Sequence, residues 1–408
     1  MAPHAYLLGA ARALLDDDEL LTPDAAVAVA GRRILWAGPR AELPEVLRGL
    51  DEYDLGELTL LPGLIDAHVH LAFDAGPDPA AALAAVDDTV LLKEMTANAR
   101  RHLAAGVTTV RDLGARSFLD VAVGRATAAD PALGARVVPA GAPITVPDGH
   151  CWYLGGACAD DDAVADRIRL SHDSGVQVVK IMATGGFLTT RTRPGAPQFG
   201  AATLRAVTRL AHRLRLPVAA HAHGTEGIRD AVEAGCDTIE HCTWVGDGRL
   251  EFDRAVVDRM VEQGTVVCPT VNGNARNPRG RVDWRERREH LRELVEAGVP
   301  VIAGTDAGIE NIAHGSLVDG LEIMPDFGLT PRQVLRSATA GAALALGLGG
   351  TTGRLSGGHD ADLIAVGGDP TADLGVLRAP ALVVSGGVAV RVPDGVAWPR
   401  PVEPDWRA

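Results

Sequence analysis

Seven residues of this chain have side chains and spacings that could hold metal ions or move protons: His68, His70, Lys180, His221, His223, His241 and Asp306. His68 and His70 form an HxH pair, and a period of two puts both on one face of an extended segment. His221 and His223 repeat that spacing. Neutral imidazoles with a carboxylate are donors suited to Zn²⁺ and similar ions. Each signal alone is weak: with thirteen histidines in 408 residues an HxH pair is no surprise, and a lone His at a strand end is more often a structural hydrogen-bonding group. The joint pattern carries the argument.

Lys180 adds a different chemistry. Of 39 basic residues only Lys93 and Lys180 are lysine, and the rest are Arg. Where a positive charge suffices this chain uses Arg, so a retained Lys asks for something a guanidinium cannot do. A deprotonated Lys adds CO₂ to give a carbamate, N6-carboxylysine, whose two oxygens can serve two cations. The ordinary ammonium pKa is about 10.4, so this needs burial or nearby metal charge. Read as purely structural, Lys180 is a charge snorkelling from a strand end, a role Arg fills equally well. Lys93 sits on a helical pattern and reads as a solvent-exposed charge.

Such residues need a scaffold that brings them together. Eight apolar runs are expected as strands: 60–66, 107–112, 136–141, 176–182, 217–221, 238–241, 265–269 and 300–305. Amphipathic segments such as 201–214, 227–234 and 283–297 lie between them. Strands alternating with helices imply parallel βα units. Eight units over this length predict an α/β fold, a (β/α)8 TIM barrel, with its chemistry at the C-terminal ends of the strands. His68 and His70 follow the first strand, Lys180 nears the end of the fourth, His221 and His241 end the fifth and sixth, and Asp306 follows the eighth. All six reach one mouth. The alternating runs 25–38, 362–368 and 381–391 are β-rich, so both termini are expected to build a small composite β-sandwich. The expected division is 1–57 and 348–408 for the sandwich and 58–347 for the barrel. Thr330 before Pro331 reads as an N-cap followed by proline at the first helical position. The Pro-rich stretch from 398 onward reads as extended.

Composition excludes other classes. The chain is 47% hydrophobic and 23% charged, with mean hydropathy +0.09, too apolar for disorder. No run of about 18 apolar residues exists for a membrane span. The first twenty residues lack the basic and apolar regions of a secretory signal. A net charge of −14 with no basic stripe argues against nucleic acid. Five cysteines without a CxxC pair read as reduced thiols of a cytoplasmic protein. The expected partner is a small-molecule substrate, and the sequence leaves room for a homo-oligomer.

The ordered motifs at 61–70 (LPGLIDAHVH), 106–112 (GVTTVRD), 179–181 (VKI), 221–224 (HAHG), 239–241 (IEH) and 304–308 (GTDAG) resemble the amidohydrolase superfamily. The resemblance covers roughly residues 5–395, and the segment 353–370 looks like the family's return to its sandwich. Within the superfamily the chain looks most like the binuclear branch of Xaa-Pro and Xaa-Arg dipeptidases, N-acyl-amino-acid hydrolases and ochratoxinase-type amidases. That resemblance implies two divalent metal ions, with zinc the expected metal and Mn²⁺ and Co²⁺ also suited. One ion would be held by His68, His70 and Asp306 and the other by His221 and His241. Carboxylated Lys180 and a hydroxide would bridge them.

The implied activity is hydrolysis of a small amide such as an N-acyl-amino acid or dipeptide. Two cations lower the pKa of the bridging water, and Asp306 shuttles its proton to the leaving nitrogen. His223 either contacts the substrate carbonyl or supports the metal ligands. The family places a His in the loop after the third strand facing the substrate, which makes His150 a second candidate, and a backbone-capping role is the alternative. Glu240 and Thr305 stand beside ligands and are candidates for orienting them. Specificity is expected from the loops. Arg191 and Arg193 are candidates for a substrate carboxylate or ordinary surface arginines, and Trp152 and Tyr153 are candidates for an apolar wall. Related dipeptidases often carry a Tyr where this chain has Phe199.

A second reading is a mononuclear deaminase or cyclic-amide hydrolase, imidazolonepropionase-like. Those enzymes lack the bridging Lys and commonly show HxxE or HxD after the fifth strand. Here Gly224 and Thr225 follow His223, and Glu226 is five residues from His221. A third, a non-catalytic barrel, would be expected to have lost ligands that are all present here.

Overall fold

Alternation of inward and outward side chains makes strands of both ends of the chain. The computed structural model describes residues 5–15, 20–276, 283–394 and 398. Its first strands are β1 (Ala5–Leu14), β2 (Leu21–Ala30), β3 (Arg33–Pro39), β4 (Asp51–Asp54) and β5 (Leu58–Pro62). Next come β6 (Leu64–Val69), β7 (Val107–Asp112), β8 (Arg136–Pro139), β9 (Val179–Met182), β10 (Val218–Gly224), β11 (Thr238–Val245) and β12 (Val266–Cys268). β13 (Leu363–Gly367), β14 (Leu382–Ser385) and β15 (Val388–Arg391) follow.

The terminal strands share one sheet in the order β15-β14-β13-β5-β1-β2-β3, with β4 also pairing β1. The pleat sends Leu8, Val27, Leu60 and Leu363 to one apolar cluster and Leu7, Ala26 and Ala28 to another. Of the Pro-rich tail only Trp398 is described, and its ring lies against those of Tyr6 and Tyr53; the rest of that expectation lies outside the described residues.

The middle of the chain forms two parallel sheets, β6-β7-β8 and β9-β10-β11-β12. Parallel bridges at Ile144 with Ile181, Val267 with Val301, and Val69 with Ala307 lie beyond their edges. The strands are buried over nearly their whole length, as parallel strands between helices are. Amphipathic helices connect them. Several begin at an Asp whose carboxylate accepts backbone N–H groups, as Asp160, Asp253 and Asp283 do. The expected Thr330 cap is present as a full capping box with Gln333, with Pro331 at the first helical position.

Two expected strands differ. The run 60–66 is divided between sheets: β5 pairs with β1 and β13 in the terminal sheet, and β6 pairs with β7. The chain changes sheet at Gly63, whose N–H donates to the Asp362 carbonyl at 2.9 Å. The run 300–305 is no regular strand. The Ala303 N–H turns to the Ser337 carbonyl, and the Thr305 N–H donates to the Asp66 side chain, so only the bridge positions at Val301 and Ala307 remain.

Candidate metal centre

The first half of the site grows out of the end of β6. His68 lies on that strand and His70 directly follows it. The segment carrying Asp306 is laced to them: the Asp306 N–H donates to the His68 carbonyl, and the His70 N–H to that of Ala307, both at 2.8 Å. Gly304 permits this approach, since a Cβ there would meet the Cys268 Sγ at 2.5 Å and the His68 Cβ at 2.9 Å. Asp66 fixes the next residue by accepting from the Thr305 hydroxyl at 2.7 Å. Asp306 Oδ1 then sits 3.1 Å from His70 Nε2 and 3.4 Å from His68 Nε2.

His68 is oriented from behind. Its Nδ1 lies 2.7 Å from Glu240 Oε2, so the ring donates there and keeps its Nε2 lone pair for the site. Glu240 is wholly buried. It accepts from Arg111 at 2.8 Å and from the Thr238 hydroxyl, while Arg111 also donates to the Ala67 carbonyl and to Thr238. Burial alone would raise the Glu240 carboxyl, but the Arg111 guanidinium and His68 hold it below the usual carboxylate range. Asp306 behaves likewise: burial opposes its charge, and neighbouring His68 and His70 keep it well below that range.

The second half sits on β10 and β11. His221, His223 and His241 bring a ring nitrogen each to within 4.8 Å of one another. Their partners are neutral. His221 Nε2 donates to the Gly185 carbonyl at 3.1 Å, and His241 Nδ1 pairs with the Thr270 hydroxyl at 2.9 Å. His223 Nδ1 lies 2.8 Å from the Thr243 hydroxyl. That hydroxyl gives its own proton to the His223 carbonyl, so it accepts from Nδ1 and leaves His223 Nε2 free. Burial pushes all three imidazoles well below their ordinary pKa, helped by the charges around them. The backbone is held in the left-handed region at His241, Thr270 and Asp306 (φ 68°, 50° and 64°). For a β-branched residue such as Thr270 this is a strained placement, of a kind that gathers at functional sites.

Both halves open on one cavity of about 370 Å³, whose lining includes Lys180, His150 and Arg287. Lys180 is 1% exposed, and its Nζ makes no hydrogen bond. Burial, with Arg111 nearby, brings its pKa down to about 8. His150 enters from the loop after β8, its ring centroid 4.6 Å from that of His221, and burial lowers it to about 3. The structure thus gathers His68, His70, Lys180, His221, His223, His241, His150 and Asp306 in one place. Arg191 and Arg193 are exposed, and neither they nor Tyr153 lines the cavity. Tyr153 instead points its hydroxyl at the Cys151 thiol, 3.7 Å away.

Arg287 escaped notice as one arginine among many in the helix Trp284–Ala297. A signal was present: Trp284, Arg287, Leu291 and Leu294 fall at i, i+3, i+7 and i+10, the spacing of a buried helix face, and all four are buried.

A divalent cation fits these residues. Three buried polar atoms of this centre, His68 Nε2, Lys180 Nζ and Asp306 Oδ1, make no hydrogen bond. Buried polar atoms rarely stay unsatisfied, and imidazole, carboxylate and amine nitrogen are donors a divalent cation would satisfy. The His68, Glu240 and Cys268 donors also lie close together, but Glu240 is committed to Arg111 and His68.

The chain is also similar to known proteins. The chain is 27% identical to the ochratoxinase of Aspergillus niger, over 88% of this chain and 81% of that one. It is 32% identical to the imidazolonepropionase of Ralstonia nicotianae, over 86% and 88%. A crystal structure of a Xaa-Pro dipeptidase with methionine bound in its active site superposes with a TM-score of 0.83, at 27% identity, over 94% of this chain and 99% of the other. The amidohydrolase family pattern matches residues 59–390, the stretch that carries every one of these cavity residues. The chain therefore belongs to the amidohydrolase family, as a hydrolase acting on amide C–N bonds.

Proposed function

We propose that this chain is a binuclear metal-dependent amidase that hydrolyses an amide bond of a small substrate such as an N-acyl-amino acid or a dipeptide. The observation that carries the reading is Lys180: one of two lysines in the chain, fully buried, unpartnered, and lining the cavity on which two groups of metal donors open. On this reading His68, His70 and Asp306 would hold one cation and His221 and His241 the other, with Lys180, once carboxylated, supplying oxygen donors to both. Zinc suits such donors. When bound, the cations would acidify a water and polarise the scissile carbonyl. Asp306 takes the proton of the attacking water and delivers it to the leaving nitrogen. His150 and His223 face the substrate carbonyl across the cavity. The cavity volume suits a ligand of dipeptide size.

The two parallel sheets and the bridges at their edges are read as one (β/α)8 barrel spanning 58–347, with 1–57 and 348–408 forming the composite sandwich. β5, which begins at Leu58 yet lies in the terminal sheet, marks where the chain crosses between the two. Among the described residues no helix is long and apolar enough to cross a membrane. All five cysteines are free and buried, which supports a reducing, cytoplasmic setting.

The imidazolonepropionase-like reading has the similarity to the Ralstonia relative in its favour and predicts one metal without a carbamate. Metal analysis of purified protein, alongside turnover of N-acyl-amino acids, dipeptides and cyclic amides, separates the two. The binuclear reading expects two ions per chain, falling to one or none in Lys180→Arg with activity down by about 100-fold or more. Two ions and full activity in that variant would rule out the carbamate bridge.

A further inference from the structure

Among the described residues Arg287 is a cation without an ion-paired carboxylate, although the Asp306 charge favours its protonated form. Its residue is 4% exposed, and it lines the same cavity as Lys180, His241 and Asp306. Its Nη2 donates to the carbonyls of His241 and Pro269, its plane lies over the Trp284 ring at 4.3 Å, and its Nε, also buried, has no acceptor. No carboxylate of the described residues forms an ion pair with it. Burial brings its pKa down to about 10, which leaves it charged at neutral pH. Arg288, the next residue on that helix, reaches outward to Asp326 at 3.3 Å. A buried guanidinium held only by neutral groups is an arrangement folding alone disfavours.

We infer that Arg287 is the receptor for the α-carboxylate of the amino acid that the proposed amidase would release. This rests on the amidase reading and adds the residue that selects its substrate. The two carbonyls fix one edge of the guanidinium, and the fork geometry leaves donors for a planar carboxylate. Trp284 beneath the plane keeps the group flat against the wall and dry. Arg191 and Arg193, the sequence candidates for this role, are exposed and lie outside the lining. Arg287 is a binding residue, and no proton moves through it.

The test compares matched substrates on the metal-loaded protein: an N-acyl-amino acid, and the same compound with its carboxylate converted to a carboxamide. Wild type is expected to prefer the carboxylate by about 100-fold or more in kcat/KM, mostly through KM. Arg287→Gln should lose far more kcat/KM on the carboxylate than on the carboxamide, so that the preference disappears, and Arg287→Lys should restore part of it. Equal loss on both substrates in Arg287→Gln would make the residue a structural tie between strand ends and overturn the inference. Wild-type discrimination is read without any variant, so a misfolded Arg287→Gln protein leaves the inference exposed. Wild type that hydrolyses the carboxamide as well as the acid overturns the Arg287 assignment and leaves the amidase intact. Inactivity on both overturns the amidase reading and this one with it.

Discussion

The two halves of the centre hold their imidazoles by opposite means. At the end of β6, His68 is set by a charged chain: Glu240 accepts from it at 2.7 Å and is itself gripped by Arg111 at 2.8 Å, with both acid and guanidinium buried. Across the cavity His221, His223 and His241 lean on a carbonyl and two hydroxyls. A buried charged network is rigid when complete and costly when broken. Neutral partners orient a ring more weakly and leave little damage when removed. The difference teaches that the His68 half belongs to the fold as much as to the chemistry, while the three-imidazole half is largely chemistry.

The sharpest way to break that comparison is Glu240→Gln. The substitution keeps the shape but leaves Arg111 buried beside a neutral amide and removes the charge that fixes the His68 ring. A loss of about 3–5 kcal/mol in unfolding free energy is expected, visible in chemical denaturation of the metal-free protein. A loss below about 1 kcal/mol would mean the charged chain is ornamental to folding, and the two halves would then be alike.

Much of this was legible in the residues, for reasons that differ by site. A period of two is enough to put His68 and His70 on one face, and at the end of β6 both rings reach Asp306 Oδ1. The Thr330 cap is a local signal and needs no tertiary context. What escaped depends on contacts distant in sequence. The extended run 300–305 loses its regular ladder to Asp66 and Ser337, neither of which is near it in the chain. Glu240 stood out as an orienting candidate only through its neighbour His241; that it meets His68 instead, gripped by Arg111 129 residues away, depends on the fold. Arg287 was masked by composition: in an Arg-rich helix of alternating charge, only the phase shared with Trp284, Leu291 and Leu294 singles it out.

The smaller effect, and the finer test, is Thr270→Val. It is nearly isosteric and removes the hydroxyl that pairs with His241 Nδ1 at 2.9 Å. Fold stability should fall by only about 1–2 kcal/mol, because no charge is left stranded. Metal affinity at the imidazole half should fall by about 10–100-fold, the usual result of removing a group that orients a ligand. On the binuclear reading, graded chelation of wild type should then proceed in two steps, the ion held by His221 and His241 leaving first, and Thr270→Val should move only that step to lower chelator concentration. Competition with a chromophoric chelator reads both steps. A single step, or a variant that shifts both together, would mean the carbamate couples the halves so tightly that their different anchoring no longer matters to the metals.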